Sequence, residues 1–180
     1  EIAQCLVGSE MCIRDSTYIK DGVIGNNVVL DNVKLLDSEV EDGTDCGPFV
    51  KIRAGSKLGK GVHIGNFVEV KNSVVGDGTK SAHLTYIGDS DVGKNVNFGC
   101  GTVTVNYDGK NKHRCKIGNH AFIGCNSNLV APVEIGDYAF TAAGSTITDE
   151  VPENALSIAR AKQVNKPGWV TKKKPYKDMK

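Results

Sequence analysis

The sequence has few aromatic residues, few prolines and almost no net charge. Aromatic residues make up 6% of its 180 residues, and there are five prolines. The 22 lysines and arginines nearly balance the 21 aspartates and glutamates, which leaves a formal net charge of +1. This balance argues against binding to nucleic acids or membrane surfaces through charge alone. The sequence also lacks an apolar run near the roughly eighteen residues that a membrane-spanning helix needs.

Sequence patterns typical of metal sites are also absent. The cysteines are Cys5, Cys12, Cys46, Cys100, Cys115 and Cys125. No two of them have the CxxC spacing of a zinc knuckle or a redox motif, so we expect reduced thiols in a cytoplasmic protein. The histidines are His63, His83, His113 and His120. They lack the close pair of a histidine zinc site, and we therefore expect no metal site.

Glycine is abundant, at 21 residues, and apolar residues recur every six positions. Aliphatic side chains stand at Ile52, Leu58, Ile64 and Val70. The positions four residues after these hold small or branched side chains, which are Ser56, Val62, Val68 and Val74. A period of six fits neither a helix of 3.6 residues per turn nor the simple alternation of a strand.

The six-residue repeat covers most of the chain, with two steps of five. Upstream, it includes Ile24, Leu30 and Leu36. Downstream, it runs through Val75, Ser81 and Ile87, and then through Val92, Phe98 and Thr104. After an interruption it returns at Ile117, Ile123, Leu129, Ile135, Thr141 and Ile147. The partner positions in this last part are Ala121, Ser127, Val133, Ala139, Ser145 and Val151.

This pattern predicts an all-β fold, a solenoid in which short parallel strands and turns form stacked coils. Each coil would lie about 4.8 Å from the next and send one aliphatic side chain inward from each face. The frequent glycine, asparagine and aspartate residues suit the positive φ angles of the turns. The pattern resembles the hexapeptide-repeat acyltransferases, in which three hexapeptides form one triangular coil. This resemblance implies a left-handed parallel β-helix.

Both ends of the chain depart from the repeat. Residues 1–16 have neither the repeat nor a signal-peptide layout, and QCLVGSEMCIRDS is similar to a translated sequencing adapter. We expect a non-native head that adds no coil, with a native helix leading into the coil as the alternative. Residues 17–151 would form the β-helix domain. Residues 152–180 would form a C-terminal segment, with a short strand or crossing segment at ALSIAR, and a basic tail.

His83 stands outside the apolar positions of the repeat. In the six-residue frame Ser81 and Thr85 point inward, so His83 would point outward near a turn. This placement argues against a buried core histidine. A plain surface histidine remains the alternative, because exposed histidines are common.

Arg53 and Lys71 indicate an anion site. Each directly follows an inward aliphatic residue, and the two are eighteen residues apart, which is one full coil. Adjacent coils would hold both side chains on one side, about 5 Å apart, where like charges repel each other. An anion relieves that repulsion, and phosphate is the anion that such groups commonly bind.

The segment VNYDGKNKHRCK interrupts the repeat between Thr104 and Ile117. We expect it to leave the coil, either as a tolerated insertion or as a functional arm. Its mixture of aromatic, amide and basic groups favours the arm. These groups are Asn106, Tyr107, Lys110, Lys112, His113 and Arg114.

Longer strings narrow the resemblance. They are GPFVKIRAG, GNFVEVKNS, HLTYIGD, NVNFGCGTVTVNYDGKNK, GCNSNLVAPV and ALSIARAKQ. From about Gly47 to Trp169 the chain resembles the acetyltransferase domain of the bifunctional bacterial N-acetylglucosamine-1-phosphate uridylyltransferase/glucosamine-1-phosphate N-acetyltransferase family. The resemblance implies acetylation of glucosamine 1-phosphate by acetyl-CoA, for UDP-N-acetylglucosamine and cell-wall precursor synthesis. The uridylyltransferase half is not in this sequence, so we expect no uridylyl transfer from it.

The same resemblance implies roles for individual residues. By the match to HLTY, His83 would be the catalytic base. The sugar phosphate would bind Arg53, Lys71, Tyr86, Asn97 and Lys112. Acetyl-CoA would bind Cys100, Asn106, Tyr107, Cys125, Ala143 and Arg160. The family forms homotrimers with sites shared between chains, and it needs no metal in this domain.

Two cysteines depart from the family pattern. Cys125 stands where serine is common, and Cys100 where a small alanine is usual. Either thiol fits sterically, and direct transfer needs no acetylated cysteine.

Two other functions stay open. One is an acyltransferase for another amino sugar, which a substrate panel would distinguish. The other is a non-catalytic trimeric scaffold fragment, which a test of acetyl-CoA turnover would distinguish.

Overall fold

The computed structural model describes residues 2–3, 6–9, 12–14 and 16–173. This part of the chain forms 24 short strands and one helix of five residues. The first twelve strands are β1 (Ile2–Ala3), β2 (Leu6–Val7), β3 (Cys12–Ile13), β4 (Tyr18–Ile24), β5 (Val29–Leu30), β6 (Val33–Val40), β7 (Asp45–Cys46), β8 (Val50–Arg53), β9 (Ser56–Leu58), β10 (His63–Asn66), β11 (Glu69–Lys71) and β12 (Val74–Val75). The others are β13 (Lys80–His83), β14 (Tyr86–Gly88), β15 (Ser90–Val92), β16 (Asn97–Phe98), β17 (Val103–Val105), β18 (Cys115–Ile117), β19 (Phe122–Ile123), β20 (Asn128–Val130), β21 (Val133–Ile135), β22 (Phe140–Thr141), β23 (Thr146–Ile147) and β24 (Leu156–Ser157), followed by helix α1 (Trp169–Lys173).

The strands form a parallel solenoid of about nine turns, which confirms the predicted all-β hexapeptide-repeat fold. Each strand pairs with the equivalent strand one coil away. One face is a nine-stranded sheet in the order β24-β22-β19-β16-β13-β10-β7-β5-β3. The other two faces form a 15-stranded sheet, because the long strand β6 pairs with both β8 and β9. We call the face made of β8, β11, β14, β17, β20 and β23 the central face.

Aliphatic side chains from the three faces fill the inside of the coils. Ile52, Leu58 and Ile64 come from successive faces, and all three are fully buried. Burying such a side chain contributes about 1.5–3 kcal/mol relative to leaving it in water. Buried hydroxyl groups bond to the backbone instead, as where Thr44 Oγ1 donates to Gly59 O at 2.7 Å. The six-residue repeat therefore marks the core of the protein.

Two positions of the predicted repeat are wrong. Val74 is 47% exposed and Ser73 points inward in its place, whereas Val75 points inward as predicted. Ser73 is tolerated in the core because its hydroxyl donates to Lys71 O at 2.8 Å. Leu36 is only partly buried, whereas Leu35 is fully buried.

Close stacking of the coils explains some of the glycines. At Gly65, an added Cβ would collide with the carbonyl oxygen of Ala82 on the next coil. A side chain at this position would therefore push two rungs apart. The turns themselves use positive φ angles, for example 53° at Asn95 and 78° at Gly101.

The first sixteen residues extend the solenoid in the part that the structure describes. Strands β1 and β2 pair with β4, and β3 pairs with β5, all in parallel. The expectation that the head adds no coil is therefore wrong for these residues. Backbone groups make the contact, since Gly8 N donates to Ile24 O at 2.8 Å and Arg14 N to Leu30 O at 2.9 Å. Cys5 lies outside the described residues, and the adapter-like origin of the head stays a prediction.

At the other end, strand β24 pairs with β22, which confirms a short strand in ALSIAR. Residues 158–173 are exposed, and residues 174–180 of the basic tail lie outside the described part. Among the described residues, no helix has the length and apolar character to cross a membrane.

Residues 106–114 leave the coil between β17 and β18, as predicted. Tyr107 and Lys112 form an antiparallel bridge within this loop. Residues that pair across adjacent coils are 17 positions apart in sequence at Lys80 and Asn97. Because of the extra loop residues, they are 25 positions apart at Asn97 and Phe122. The coil therefore continues unchanged on both sides of the loop.

Candidate functional site

His83 ends strand β13 and lies at a corner of the coil. Ser81 and Thr85 on either side of it are buried, and His83 itself is exposed, so the predicted outward direction is confirmed. The corner is made by Leu84, whose φ is 44°. The imidazole of His83 is therefore free to meet a ligand at the edge of the central face.

Equivalent corner positions on the following coils hold Cys100, Cys125 and Ala143. Backbone hydrogen bonds tie the corners together, since Asn126 N donates to Cys100 O at 2.8 Å and Gly144 N donates to Cys125 O at 2.8 Å. We call His83, Cys100, Cys125 and Ala143 the corner column. The structure thus brings the predicted base into line with three residues predicted to bind acetyl-CoA.

A shallow pocket of about 370 Å³ opens beside His83. Its lining residues are Asn66, Phe67, His83, Leu84 and Cys100. Most of its surface is apolar, because Phe67 and Leu84 are each 58% exposed there. A short acyl chain could occupy such a pocket with its carbonyl group near the imidazole.

Arg53 and Lys71 pair with each other in the register of β8 and β11, at the opposite edge of the central face. This confirms the predicted placement one coil apart. Arg53 Nη1 donates to Glu69 Oε1 at 2.8 Å. The hydrogen bond to Glu69 raises the pKa of Arg53, so the cation is held firmly in its charged form.

Asp89 is the buried centre of this edge. Its carboxylate accepts hydrogen bonds from Lys71 Nζ at 3.0 Å, from Asn72 Nδ2 at 2.5 Å and from Asn106 Nδ2. Burial alone would raise the pKa of Asp89, but the donors Asn72, Lys71 and Asn106 outweigh it and lower that pKa. Burial would likewise lower the pKa of Lys71, and the hydrogen bond to Asp89 outweighs it and raises that pKa.

Lys112 reaches this edge from the loop. Its side chain interacts with that of Lys71, and this contact lowers the pKa of Lys112. Arg53 adds a smaller effect in the same direction. Three cations therefore converge where two carboxylates, the buried Asp89 and Glu69, offset part of their charge. We call Arg53, Lys71, Asp89 and Lys112 the cation edge. An anion here would gain from the remaining excess of positive charge.

Tyr86 lies on the central face between the two edges, and Asn97 lies on the neighbouring face. Tyr86 pairs with Glu69 in the register of the central face, and its ring covers Gly88, the position that pairs with Lys71. Asn106 Nδ2 donates to the Tyr86 hydroxyl group at 3.4 Å. Asn97, in contrast, lies on the nine-stranded sheet next to Lys80. In one chain Asn97 and Tyr86 are therefore on different faces.

The residues that the resemblance assigns to acetyl-CoA do not all lie in the corner column. Asn106 is buried against Asp89 and so belongs with the cation edge. Tyr107 is 56% exposed on the loop, and its hydroxyl group donates to Gly109 O at 2.6 Å. Arg160 extends the corner column, because its Cδ atom lies 3.7 Å from where a Cβ on Gly144 would be.

Both ends of the loop are fixed to neighbouring carboxylates. Asn106 is bonded to Asp89, and Arg114 Nε donates to Asp91 Oδ2 at 3.1 Å. Arg114 Nη1 also donates to the carbonyl oxygen of Asn72 at 3.0 Å. The loop is therefore held against the cation edge, which favours a functional arm.

The two edges of the site are separate within one chain. His83 lies five positions along the coil from Gly88, the residue that pairs with Lys71. At about 3.3 Å per residue the backbone path is at most about 16 Å, and it bends at the Leu84 corner, so the two edges are closer than that in space. Long side chains, or a second copy of the chain, would bring groups from both edges to one small substrate.

Some residues of the site were missed by the sequence analysis. Asp89 and Asn72 hold the cation edge, and Glu69 holds Arg53. Part of their signal was present, because Asp89 lies one position past Gly88, the residue that pairs with Lys71 on the next coil. In the described residues no group of three or more His, Cys, Asp or Glu side chains could hold a metal ion.

Comparisons with known proteins agree with this fold. Residues 114–149 match the family model "Bacterial transferase hexapeptide (six repeats)". The bifunctional protein GlmU of Streptococcus thermophilus is 56% identical over 170 residues, which is 94% of this chain and 37% of that protein. GlmU of Caldicellulosiruptor saccharolyticus is 59% identical over 158 residues, covering 88% of this chain and 34% of that protein.

The chain is similar to the C-terminal part of GlmU. It spans little more than a third of the length of these GlmU relatives. Among solved structures, a mutant of perosamine N-acetyltransferase from Caulobacter crescentus, in complex with CoA and GDP-perosamine, has a TM-score of 0.57 at 20% identity. The match covers 64% of this chain and 53% of that one, and at this identity the likeness concerns the fold alone.

Proposed function

We propose that this chain transfers the acetyl group of acetyl-CoA to the amine of glucosamine 1-phosphate, giving N-acetylglucosamine 1-phosphate and CoA. One observation carries the proposal. His83 points outward at the head of a column that holds Cys100, Cys125 and Ala143, while three cations converge at the other edge of the central face. The similarity to GlmU over 94% of the chain supports the same activity.

In the proposed reaction His83 is the general base. The substrate amine attacks the thioester carbonyl carbon, and the imidazole takes the proton that the nitrogen loses as the amide bond forms. The carbon–sulfur bond breaks, and CoA leaves as a thiolate that is then protonated. Histidine suits this step because its ordinary pKa lies close to neutral pH.

The phosphate of the sugar would bind at the cation edge. Arg53, Lys71 and Lys112 supply positive charge there, and Asp89 keeps Lys71 in place by the hydrogen bond at 3.0 Å. Tyr86 and Asn97 would contact the sugar itself. Phosphate binding would also remove the repulsion between Lys71 and Lys112, which is the physical reason to expect an anion at this edge.

Acetyl-CoA would lie along the corner column, with its acetyl group in the pocket beside His83. The cofactor chain would then pass Cys100, Cys125 and Ala143 towards Arg160. A guanidinium group suits the phosphate groups of CoA, which it can bind through two hydrogen bonds. Tyr107 would complete this set from the loop, whereas Asn106 is held at the cation edge by its hydrogen bond to Asp89. The Caulobacter crescentus structure that shares this fold contains CoA and an amino-sugar nucleotide, which is consistent with such a groove.

The active assembly would be a homotrimer whose sites are shared between chains. His83 and the cation edge lie at opposite edges of the central face, which supports this, because a second copy could bring its own cation edge close to His83. The fixed loop at residues 106–114 is the element placed to reach a neighbouring chain.

The deciding experiment measures CoA release by the isolated chain with glucosamine 1-phosphate, glucosamine and a panel of other amino sugars. We expect turnover with glucosamine 1-phosphate to exceed that with every other acceptor. A clear preference for another amino sugar would replace the proposed substrate. Absence of turnover in a folded, trimeric sample would favour a non-catalytic scaffold.

A further inference from the structure

Cys100 and Cys125 occupy equivalent positions on adjacent coils. The strands that precede them, β16 and β19, pair in parallel with a register of 25 residues, which brings Cys100 opposite Cys125. Asn126 N donates to Cys100 O at 2.8 Å and so fixes the two corners to each other. Adjacent rungs are about 4.8 Å apart, and disulfides join Cα atoms that are roughly 4.4–6.8 Å apart. The Cα separation of the two cysteines is therefore within the range that a disulfide spans.

The surface position of this pair distinguishes it from the core cysteines. Cys125 is exposed and Cys100 is partly exposed, whereas Cys46 and Cys115 are buried. Burial raises the pKa of the Cys115 thiol to about 11, and it raises that of Cys46 as well. The thiolate is the reactive species in thiol chemistry, so the core cysteines are inert and the surface pair is available to reagents.

The backbone at this corner brings the two coils close together. Cys100 lies between Gly99 and Gly101, and the φ of Gly101 is 78°. Glycine on both sides leaves the coil containing Cys100 in close contact with the coil containing Cys125, because a Cβ on Gly99 would lie 2.5 Å from Cys125 N. Cys125 is followed by Asn126, whose φ is 55°, so both cysteines approach the corner in the same way.

We propose that Cys100 and Cys125 form a dithiol site that closes into an intramolecular disulfide when it meets a small-molecule disulfide such as oxidised glutathione. The thiolate of Cys125, the more exposed of the two, attacks one sulfur of the oxidant, whose S–S bond breaks and releases one thiol. The thiolate of Cys100 then attacks the sulfur of Cys125 and releases the second thiol. Both cysteines are oxidised in a two-electron step, and the oxidant is reduced to two thiols.

Closure of the disulfide would act on the groove that we assign to acetyl-CoA, and this part of the inference rests on the proposed function. Cys100 also lines the pocket beside His83. A disulfide between the two corners would place sulfur atoms where the cofactor has to lie. Oxidation should therefore stop the transfer reaction, and bound acetyl-CoA should protect both thiols.

The first experiment maps the disulfide in the full chain. The protein is treated with oxidised glutathione, alkylated, digested with trypsin without reductant and analysed by mass spectrometry. Lys110, Lys112, Arg114 and Lys116 separate the two cysteines, so they fall on different tryptic peptides. We expect one linked pair of peptides that joins Cys100 to Cys125 and disappears on reduction.

Two variants make this result specific. Cys125→Ser should abolish the linked peptides, and Cys12→Ser, which removes an exposed cysteine outside the corner column, should leave them unchanged. Glutathione attached to Cys100 and Cys125 without a link between them would overturn the proposal. So would a link between two copies of the chain, or one that uses Cys12.

The second experiment tests the link to acetyl-CoA. The rate of alkylation at Cys100 and Cys125 is measured with and without saturating acetyl-CoA, with Cys12 as the internal reference. We expect at least a tenfold lower rate at the pair and no change at Cys12. An unchanged rate at the pair, or full CoA release by the oxidised protein, would overturn the regulatory part. Linked peptides in a chain whose reduced form has no transferase activity would support the dithiol site and refute the proposed function.

Discussion

Lys71 Nζ lies 3.0 Å from Asp89 Oδ2, and the two side chains are only 15% and 5% exposed. They belong to adjacent coils, and Asp89 also accepts from Asn72 and Asn106. This ion pair is the most deeply buried of those in the described residues. Asp89 therefore links Lys71, which we propose to bind phosphate, to Asn106 at the start of the loop.

Asp89→Asn should destabilise the fold. The change leaves the ammonium group of Lys71 without its counter-charge, and breaking a buried pair costs about 3 kcal/mol in the free energy of unfolding. Urea denaturation measures this loss. Asp77→Asn is the matched control, because Asp77 pairs with Lys94 at 2.9 Å on an exposed surface and should change stability little. Equal effects of the two variants would contradict the importance of the buried pair.

The same pair predicts a dependence of stability on pH. The folded-state pKa of Asp89 is lowered, so its contribution is present above the ordinary value of about 3.9 and is lost as pH falls through the folded pKa. The pKa of Lys71 is raised, so its contribution is present below about 10.4 and is lost as pH rises above the folded pKa. Asp89→Asn should therefore lose less stability than wild type on acidification below about pH 4. Parallel acid curves for the two proteins would refute this.

Removing a cation of the proposed phosphate site should affect phosphorylated substrate selectively. Lys71→Ala should raise KM for glucosamine 1-phosphate by about tenfold or more, because one charge-assisted hydrogen bond is worth about 1.5–3 kcal/mol. Turnover of unphosphorylated glucosamine should change much less. Lys57→Ala, which removes a cation from another face, is the control and should leave both substrates unaffected. Equal losses for the two substrates in Lys71→Ala would mean that the cation edge does not bind phosphate.

His83→Ala should reduce kcat by about 100-fold or more, because a positioned general base typically contributes about 10²–10⁴. Affinity for acetyl-CoA, measured by calorimetry, should change little. His63→Ala removes a histidine on the preceding coil that bonds to Asp45 at 2.5 Å, and it should keep normal turnover. Near-normal kcat in a folded His83→Ala protein would show that His83 is not the general base.

Lys112 should make substrate binding sensitive to alkaline pH. Its interaction with Lys71 lowers its pKa, so Lys112 loses its charge at a lower pH than an ordinary lysine. As pH increases, KM for glucosamine 1-phosphate should therefore begin to rise before the pH reaches about 10.4, where lysine normally loses its charge. Lys112→Arg, which stays charged, should flatten the curve of KM against pH. An identical curve in wild type and variant would contradict the role of Lys112.

Much of the fold could be predicted from the sequence, because inward positions of a solenoid recur at fixed spacing. The errors arose where two neighbouring residues are chemically alike. Val74 and Val75 are both valine, and the repeat placed both inward, although neighbouring residues of a strand point in opposite directions. Ser73 takes the other inward position because its hydroxyl bonds to the backbone, and this is a feature of the folded coil alone.

The expectation that the head adds no coil was wrong for a related reason. Its strands join the solenoid through backbone hydrogen bonds, which almost any side chains allow, so the lack of a repeat did not exclude pairing.

The candidate site could be predicted in part. The outward direction of His83 and the pairing of Arg53 with Lys71 both follow from the length of one coil. The role of Asp89 could not be read in the same way, because it depends on donors from separate segments. Asn106 shows the limit most clearly, since only the folded loop brings it back to a carboxylate seventeen residues earlier.

The loop at residues 106–114 has a consequence for how such proteins can diversify. It begins and ends between two rungs whose pairing is continuous, with Ser90 opposite Cys115 and Val103 opposite Asn128. A change in the length of its outer part, between Tyr107 and His113, therefore leaves the pairing of these rungs in place, whereas Asn106 and Arg114 hold Asp89 and Asp91. Evolution can exchange this outer part, and with it the chemistry presented to a ligand, without changing the strand pairing of the solenoid.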